Sequence, residues 1–361
     1  MTDIPASLSA LTPEWVNQRL AAAGHDSEVT SINVRPLEGF TGIMGEVANV
    51  DVTYAGDSDL PTTLFGKCPR DDERARSYNK VMNAYKREHG FYRDLYDKVP
   101  MTIARSFVNE YDDESGRAVL LIEKIEGTAG DILDGPDIEM FNELIGQLGT
   151  MHGQYWGSEV FGSRDWAIDW SAPSLLAGIP ILREGWPVMR QVWPDMGPVE
   201  ILDFFERTWV DDTETWLERI NERPWTMVHG DYEFDNIFFA ADGPVILDWQ
   251  TTIKSNAGQD LAWFLGVGAT AESVAEEDAL LDTYLAALAA AGGPDWSKEE
   301  LLDDAAASLQ YHCTGSATAL RGVIAGGGKP EDRTYQRFVK MVNGMMACAV
   351  RWNVLDRVAQ D

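Results

Sequence analysis

The spacing of apolar residues changes character repeatedly along the chain. Thr12-Pro13-Glu14 reads as an N-cap, a first-turn proline and an early acid, and Trp15, Val16 and Leu20 follow at near-helical intervals, which predicts a helix over 12–23. From Ser31 to Cys68 the pattern turns to short β-rich runs broken by glycine, at 32–37, 47–54 and 62–68. Three such runs in sequence predict an antiparallel meander. Tyr78, Val81, Met82, Tyr85, Tyr92, Leu95 and Val99 then recur at threes and fours, as expected of one long amphipathic helix. Two further strands, Ile103 to Tyr111 and Ala118 to Ile125, flank a turn-rich segment from Asp112 to Gly116, so the first third reads β-β-β-α-β-β.

Beyond Gly127 the pattern is mainly helical, with the clearest stretches at Ile138 to Tyr155, Val199 to Ile220, Ser273 to Ala291 and Glu299 to Leu320. One β island, Met227 to Gln250, interrupts it. No repeat or low-complexity linker divides the chain, so the boundary is expected at the turn after Ile125. That gives an N-terminal part over 1–125 and a mainly helical part over 126–361, the latter carrying a hairpin at 226–250. The two parts are expected to face each other as lobes.

A chain of 361 residues that is 45% hydrophobic and 10% aromatic can supply a sizeable core. Its formal charge of -30 and pI near 4.4 argue against nucleic acid or an anionic membrane as partner, because a polyanion is repelled over most of such a surface. A cationic ligand stays open. Cys68, Cys313 and Cys348 are odd in number and far apart, which points to neither a disulfide framework nor a zinc site and suits a reducing compartment. The segment Met1 to Ala10 lacks a basic region followed by an apolar run, and the most apolar later stretch, Leu261 to Gly268, is too short to span a bilayer. These features read as a cytoplasmic protein. Its oligomeric state is not legible in them.

The β island carries the chemistry. It runs from Met227-Val228 through His229-Gly230-Asp231-Tyr232-Glu233-Phe234-Asp235-Asn236 to a turn at Asp242-Gly243, then to Val245-Ile246-Leu247-Asp248-Trp249-Gln250. Two apolar runs joined by an Asp-Gly turn predict a hairpin that brings Asp248 back opposite Asn236. Phosphoryl transfer needs such a cluster, because Mg²⁺ takes oxygen ligands while a separate carboxylate orients and deprotonates the attacking hydroxyl. Asp231 suits the base, and Asn236 and Asp248 suit the metal. A lone H-x-D would read as a polar turn; H-x-D-x-x-x-x-N followed by an apolar strand ending in Asp is the ordered signature of kinase-type folds.

Upstream, three glycines in Leu37 to Gly45, among them Gly39 and Gly42, could let backbone approach nucleotide phosphates, although G-x-x-G-x-x-G departs from the kinase order. Lys67 ends the third strand run. Glu88 lies close to the apolar stripe of the long helix, and an inward carboxylate needs a partner, which Lys67 can supply. His152 lies in a helical run with Leu148, Met151 and Tyr155 and reads as a hydrogen-bonded core histidine, while His229 reads as a brace for the catalytic loop. With five histidines and no H-E-x-x-H, a zinc enzyme has no support.

On these residues the chain resembles the phosphotransferase family that includes aminoglycoside phosphotransferases, choline kinases and ecdysteroid-kinase-like proteins, with most likeness to the last branch. Supporting segments are Leu11 to Trp15, Arg87 to Arg93, Leu148 to Trp156 and Asp260 to Trp263. The resemblance implies an α+β, two-lobed protein-kinase-like fold, with a small antiparallel sheet and one long helix in the N-lobe and a mainly helical C-lobe. It further implies ATP, or alternatively GTP, with Mg²⁺, and a small hydroxylated molecule as acceptor. It assigns Asp231 as base, Asn236 and Asp248 to Mg²⁺, Lys67 to phosphate, Glu88 to positioning Lys67, and Glu123 to Ile125 as the adenine-binding hinge.

Three departures narrow this reading. Glu233 stands where protein kinases place a lysine, Trp249-Gln250 where they have Phe-Gly, and no A-P-E motif follows. A protein substrate is therefore disfavoured. The alternatives kept open are a catalytically silent pseudokinase and an aminoglycoside O-phosphotransferase. Trp166, Trp170, Trp186, Trp193, Trp209 and Trp216 fall in the region that builds part of the acceptor pocket in this family, where aromatic faces could hold a cation or an apolar skeleton. Asp165, Asp169 and Asp195 could meet an amine, and core packing accounts for the tryptophans equally well.

Overall fold

Thr12 caps the first helix as its sequence suggests: its Oγ1 accepts the Trp15 N–H at 3.2 Å, and α1 runs Pro13–Ala22. In a computed structural model, which describes residues 3–37, 45–70, 72, 75, 79, 82–192 and 196–358, the chain forms two compact units. Unit 1 comprises Met1–Thr128 with Ala240–Thr251, and unit 2 comprises Ala129–Phe239 with Thr252–Asp361. Residues 240–251 thus cluster with unit 1, whereas the sequence reading keeps the whole hairpin with the C-terminal part.

Unit 1 is built on an antiparallel sheet of β1 (Val29–Pro36), β2 (Gly45–Tyr54), β3 (Thr63–Pro69), β5 (Ser106–Tyr111) and β6 (Ala118–Glu123) in the order β1-β2-β3-β6-β5. Alternate residues of β2 and β3 point inward, so Val50, Val52, Leu64 and Cys68 join Val16 and Leu20 of α1 and Val119 and Leu121 of β6 in one core. Each such side chain contributes about 1.5–3 kcal/mol by leaving water. A two-residue strand, β4 (Thr102–Ile103), pairs in parallel with the strand Gly243–Ile246, Val245 opposite Thr102 and Ile246 opposite Ile103. That pairing ties the segment before Asp248 into this unit.

The helix expected from Tyr78 to Val99 is interrupted at Asn83, whose left-handed φ of 52° cannot continue a helix: the described residues Ala75, Asn79 and Met82 are helical before it, and α2, Ala84–Asp94, follows it. Tyr78 and Val81 lie outside the described residues, as do Gly39 and Gly42.

The helices of eight or more residues described in unit 2 are α3 (Ile138–Gln154), α4 (Ile179–Val192), α5 (Val199–Val210), α6 (Thr213–Glu222), α7 (Gly258–Val267), α8 (Glu277–Ala290), α9 (Lys298–Ala325) and α10 (Arg333–Arg351). The single helix expected over Val199 to Ile220 is broken at Asp211-Asp212, residues that compete with helical hydrogen bonding and favour caps. A two-stranded antiparallel pair, β7 (Thr226–Val228) with β8 (Ile253–Ser255), leads into the His229 to Asn236 segment. Gly258, at the start of α7, lies against α9 so closely that a Cβ there would come within 2.2 Å of Asp304 backbone.

Candidate active site

In unit 1, β3 holds Lys67 between Val47 of β2 and Leu120 of β6, on the opposite face from the buried Leu64, Gly66 and Cys68. On α2, Glu88 is buried beside Tyr85, Phe91 and Tyr92. The Lys67 ammonium donates to Glu88 Oε1 at 3.0 Å and to Asp248 Oδ1 at 2.9 Å. One cation therefore bridges two carboxylates. Burial opposes the Lys67 charge, but Asp248 and Glu88 outweigh it and hold the pKa above its ordinary value. Burial lifts the Glu88 carboxyl to about 7 against the pull of Lys67, with the Asp248 charge adding to the rise. Asp248 itself has φ 63°, a left-handed backbone that costs a non-glycine residue on the order of 1–3 kcal/mol.

In unit 2, the loop after β7 is held by its backbone. Asp260, buried at the start of α7, accepts the His229 N–H at 2.6 Å on Oδ2 and the Gly230 N–H at 2.7 Å on Oδ1. Gly230 has φ 83°, in the left-handed region that favours glycine. His152 Nε2 lies 3.2 Å from the same Asp260 Oδ2, and its Nδ1 lies 2.7 Å from the Tyr284 hydroxyl. Burial acts to raise the Asp260 pKa, yet the His152 hydrogen bond and the donated N–H groups leave it below the usual carboxylate value. His229 Nδ1 accepts the Asp231 N–H at 3.2 Å. The carboxylate of Asp231 accepts from the Asn236 amide at 3.0 Å, and the same Asn236 Nδ2 reaches the Asp231 carbonyl at 2.9 Å.

Those two bonds fix the Asn236 amide, with its nitrogen toward Asp231 and its oxygen turned away as the atom that can meet a cation. Asp248 likewise keeps a carboxylate that is 37% exposed, with Oδ1 toward Lys67. Both are hard oxygen donors of the kind Mg²⁺ prefers. Among the described residues no group of three or more His, Cys, Asp or Glu side chains could hold a metal.

Residues 69–302 match the model of the phosphotransferase enzyme family. The chain belongs to that family. It is a small-molecule kinase, with the α+β fold that its solved structural neighbours share. A candidate aminoglycoside phosphotransferase from Ralstonia eutropha superposes with a TM-score of 0.59 at 15% identity, over 94% of this chain and 97% of that one. Choline kinase from Cryptosporidium parvum gives 0.56 at 11% identity, over 90% and 91%. An aminoglycoside 2′-phosphotransferase-IIIa in complex with GDP gives 0.51 at 13% identity, over 93% and 99%. At such identities the likeness is one of fold. No curated protein sequence matches the chain.

Within this phosphotransferase the expected site residues form two groups, Lys67 with Glu88 and Asp248 in unit 1, and Asp231 with Asn236 in unit 2. Glu123 ends β6, and its backbone N–H is bonded to the Arg105 carbonyl at 2.7 Å. Glu233, at the place of the kinase lysine, is buried, with Oε1 3.4 Å from Arg337 on α10. Arg337 also pairs with Asp235, so α10 supplies a cation beside the His229 to Asn236 loop from a distant part of the sequence.

Sequence reasoning gave Asp260 no role. Its only local signal is an acid directly ahead of the apolar run Leu261 to Gly268, where full burial demands partners. The tryptophans are core residues: Trp166, Trp170, Trp186, Trp209 and Trp216 are buried, and Trp170, Trp186, Trp209 and Trp216 donate their indole N–H to Ser255, Thr314, Gln310 and Ala307. Asp169 accepts from Ser171 and pairs with Lys254 at 3.4 Å. Trp193 and Asp195 lie outside the described residues. No helix among the described residues is long and apolar enough to cross a membrane.

Proposed function

We propose that the enzyme moves the γ-phosphoryl group of ATP, with Mg²⁺, to a hydroxyl of a small molecule. The observation that carries this reading is Lys67 held between Glu88 and Asp248 at 3.0 and 2.9 Å, a cation fixed by one carboxylate from a helix and one from the strand-end aspartate, as in kinase nucleotide sites. Lys67 neutralises nucleotide phosphate and Glu88 keeps it in place. Asn236 and Asp248 offer oxygen ligands for Mg²⁺, which when bound neutralises charge developing on the phosphate oxygens. Asp231 accepts the proton of the acceptor hydroxyl, and the Asn236 amide orients its carboxylate for that task. The backbone from Glu123 to Ile125 receives the adenine, and the segment with Gly39 and Gly42, which lies outside the described residues, is the one the family resemblance assigns to the phosphates.

The acceptor is a hydroxylated small molecule. Choline kinase and the aminoglycoside phosphotransferase named above are enzymes of that kind, and the likeness of Trp249-Gln250 and of the His152 to Trp156 run to the ecdysteroid-kinase-like branch favours a comparatively apolar skeleton. A thermal-shift screen of nucleotides and then of alcohols, followed by mass spectrometry of hits incubated with Mg²⁺ and ATP, tests this. A nucleotide at a hundred times its Kd should stabilise the protein by about 2.7 kcal/mol. Absence of both nucleotide stabilisation and any phosphorylated alcohol would count decisively against the reading.

A further inference from the structure

We propose that Trp249 and Gln250 are positioning residues that hold Glu88, and through it Lys67, in its working place before any nucleotide binds, an inference that rests on the roles given to that pair above. Trp249 and Phe91 of α2 are both fully buried, with ring planes 5° apart and centroids 3.9 Å apart. Phe91 lies one helical turn beyond Glu88, so the stack fastens the turn after Asp248 to the part of α2 that presents the carboxylate. Gln250, also buried, donates its side-chain amide to Glu88 Oε2 at 3.5 Å, while Lys67 occupies Oε1 at 3.0 Å. The two oxygens of Glu88 are thus met by donors from two different segments.

The same two residues account for how Asp248 keeps its left-handed backbone, φ 63°. A conformation that unfavourable for an aspartate persists only where its surroundings over-determine it, and here an aromatic stack and a buried amide follow it directly. In protein kinases a glycine stands at the place of Gln250. Glycine has no side chain to reach the helix, and placement of that helix is then left to an activation loop. This chain, which lacks an A-P-E motif, carries the fastening in its own sequence, so the Lys67–Glu88 pair is assembled without a phosphorylated loop or a partner.

Gln250→Met keeps the side-chain volume and removes the donor. Crystals of this variant without nucleotide should show the 3.0 Å Lys67–Glu88 bridge lost. In kinetics its KM for ATP should rise about tenfold with kcat little changed, the loss of one hydrogen bond to a charged group. In a double-mutant cycle it should add nothing to Glu88→Ala. An intact bridge in the crystals, or effects on KM that simply add, would overturn the proposal. If the Met variant does not fold, Gln250→Asn, whose shorter amide cannot reach Glu88, is read in the same ways. The crystallographic result stands without turnover, so a wild-type protein that fails to use ATP would sink the proposed function and leave this inference to be decided by the bridge.

Discussion

Around Lys67 in unit 1, three charged side chains hold one another: an ammonium between two carboxylates, one of them buried and one more than a third exposed. Around Asp231 in unit 2, a wholly buried carboxylate, Asp260, holds backbone N–H groups and is itself held by His152. The first arrangement places charge, and the second places a loop. A charge cluster can lose a member and re-titrate, since Glu88 already sits at about 7, whereas a buried anion that grips backbone cannot be removed without leaving donors unmet. Loss of a member should therefore cost unit 1 function and cost unit 2 stability.

The largest effect should come from the residue that the second arrangement exists to place. Asp231→Asn is expected to lower kcat by about 10²–10⁴, the usual contribution of a general base, with little change in melting temperature; steady-state kinetics and calorimetry together check it. Asp260→Ala should instead destabilise the protein by about 3–5 kcal/mol, because it strips the counter-group from a buried network. A denaturation midpoint unchanged by that substitution would erase the contrast between the units.

His312 gives a pH handle on the same region. Its Nε2 bonds the Gln259 carbonyl at 2.7 Å, one residue before Asp260, and burial lowers its pKa from 6.5 to about 4. The unfolded chain thus takes up the proton first as pH falls, so the stability it contributes is complete above pH 6.5 and is lost as pH drops toward 4. The loss approaches about 3 kcal/mol, and His312→Gln should flatten that part of a stability-versus-pH curve. Glu88 runs the other way, because a carboxyl raised from 4.5 to about 7 loses its contribution as pH rises through that interval. Lys67→Met should have the smallest effect on folding and should raise the KM for ATP about 10- to 100-fold, roughly 1.4–2.7 kcal/mol. A large fall in melting temperature would show that the bridge is structural rather than functional.

What could be read from the sequence was what local chemistry dictates. The Thr12 cap, the alternation of β2 and β3, and the Asp-x-x-x-x-Asn spacing each act within a few residues. The break of α2 at Asn83 and of the helix at Asp211-Asp212 stayed hidden because the apolar spacing runs on across both. Asp260 was out of reach for another reason: its contacts lie 31 residues away at His229 and 108 away at His152. Gln250 meets Glu88 over a separation of 162 residues, a distance no period or motif spans. The Lys67–Glu88 contact was legible over 21 residues, since an inward-facing acid on an amphipathic helix announces that it has a partner.

One measurement bears most directly on the central claim. Wild-type and Asp231→Asn protein, matched for nucleotide-induced stabilisation, are incubated with Mg²⁺, ATP carrying a labelled γ-phosphoryl group, and the alcohols that stabilise the protein, and the products are resolved by mass spectrometry. The account predicts a labelled phosphate monoester of a small molecule from the wild type and its near-complete loss in the variant. Label found on protein side chains, or equal product from both proteins, would contradict it.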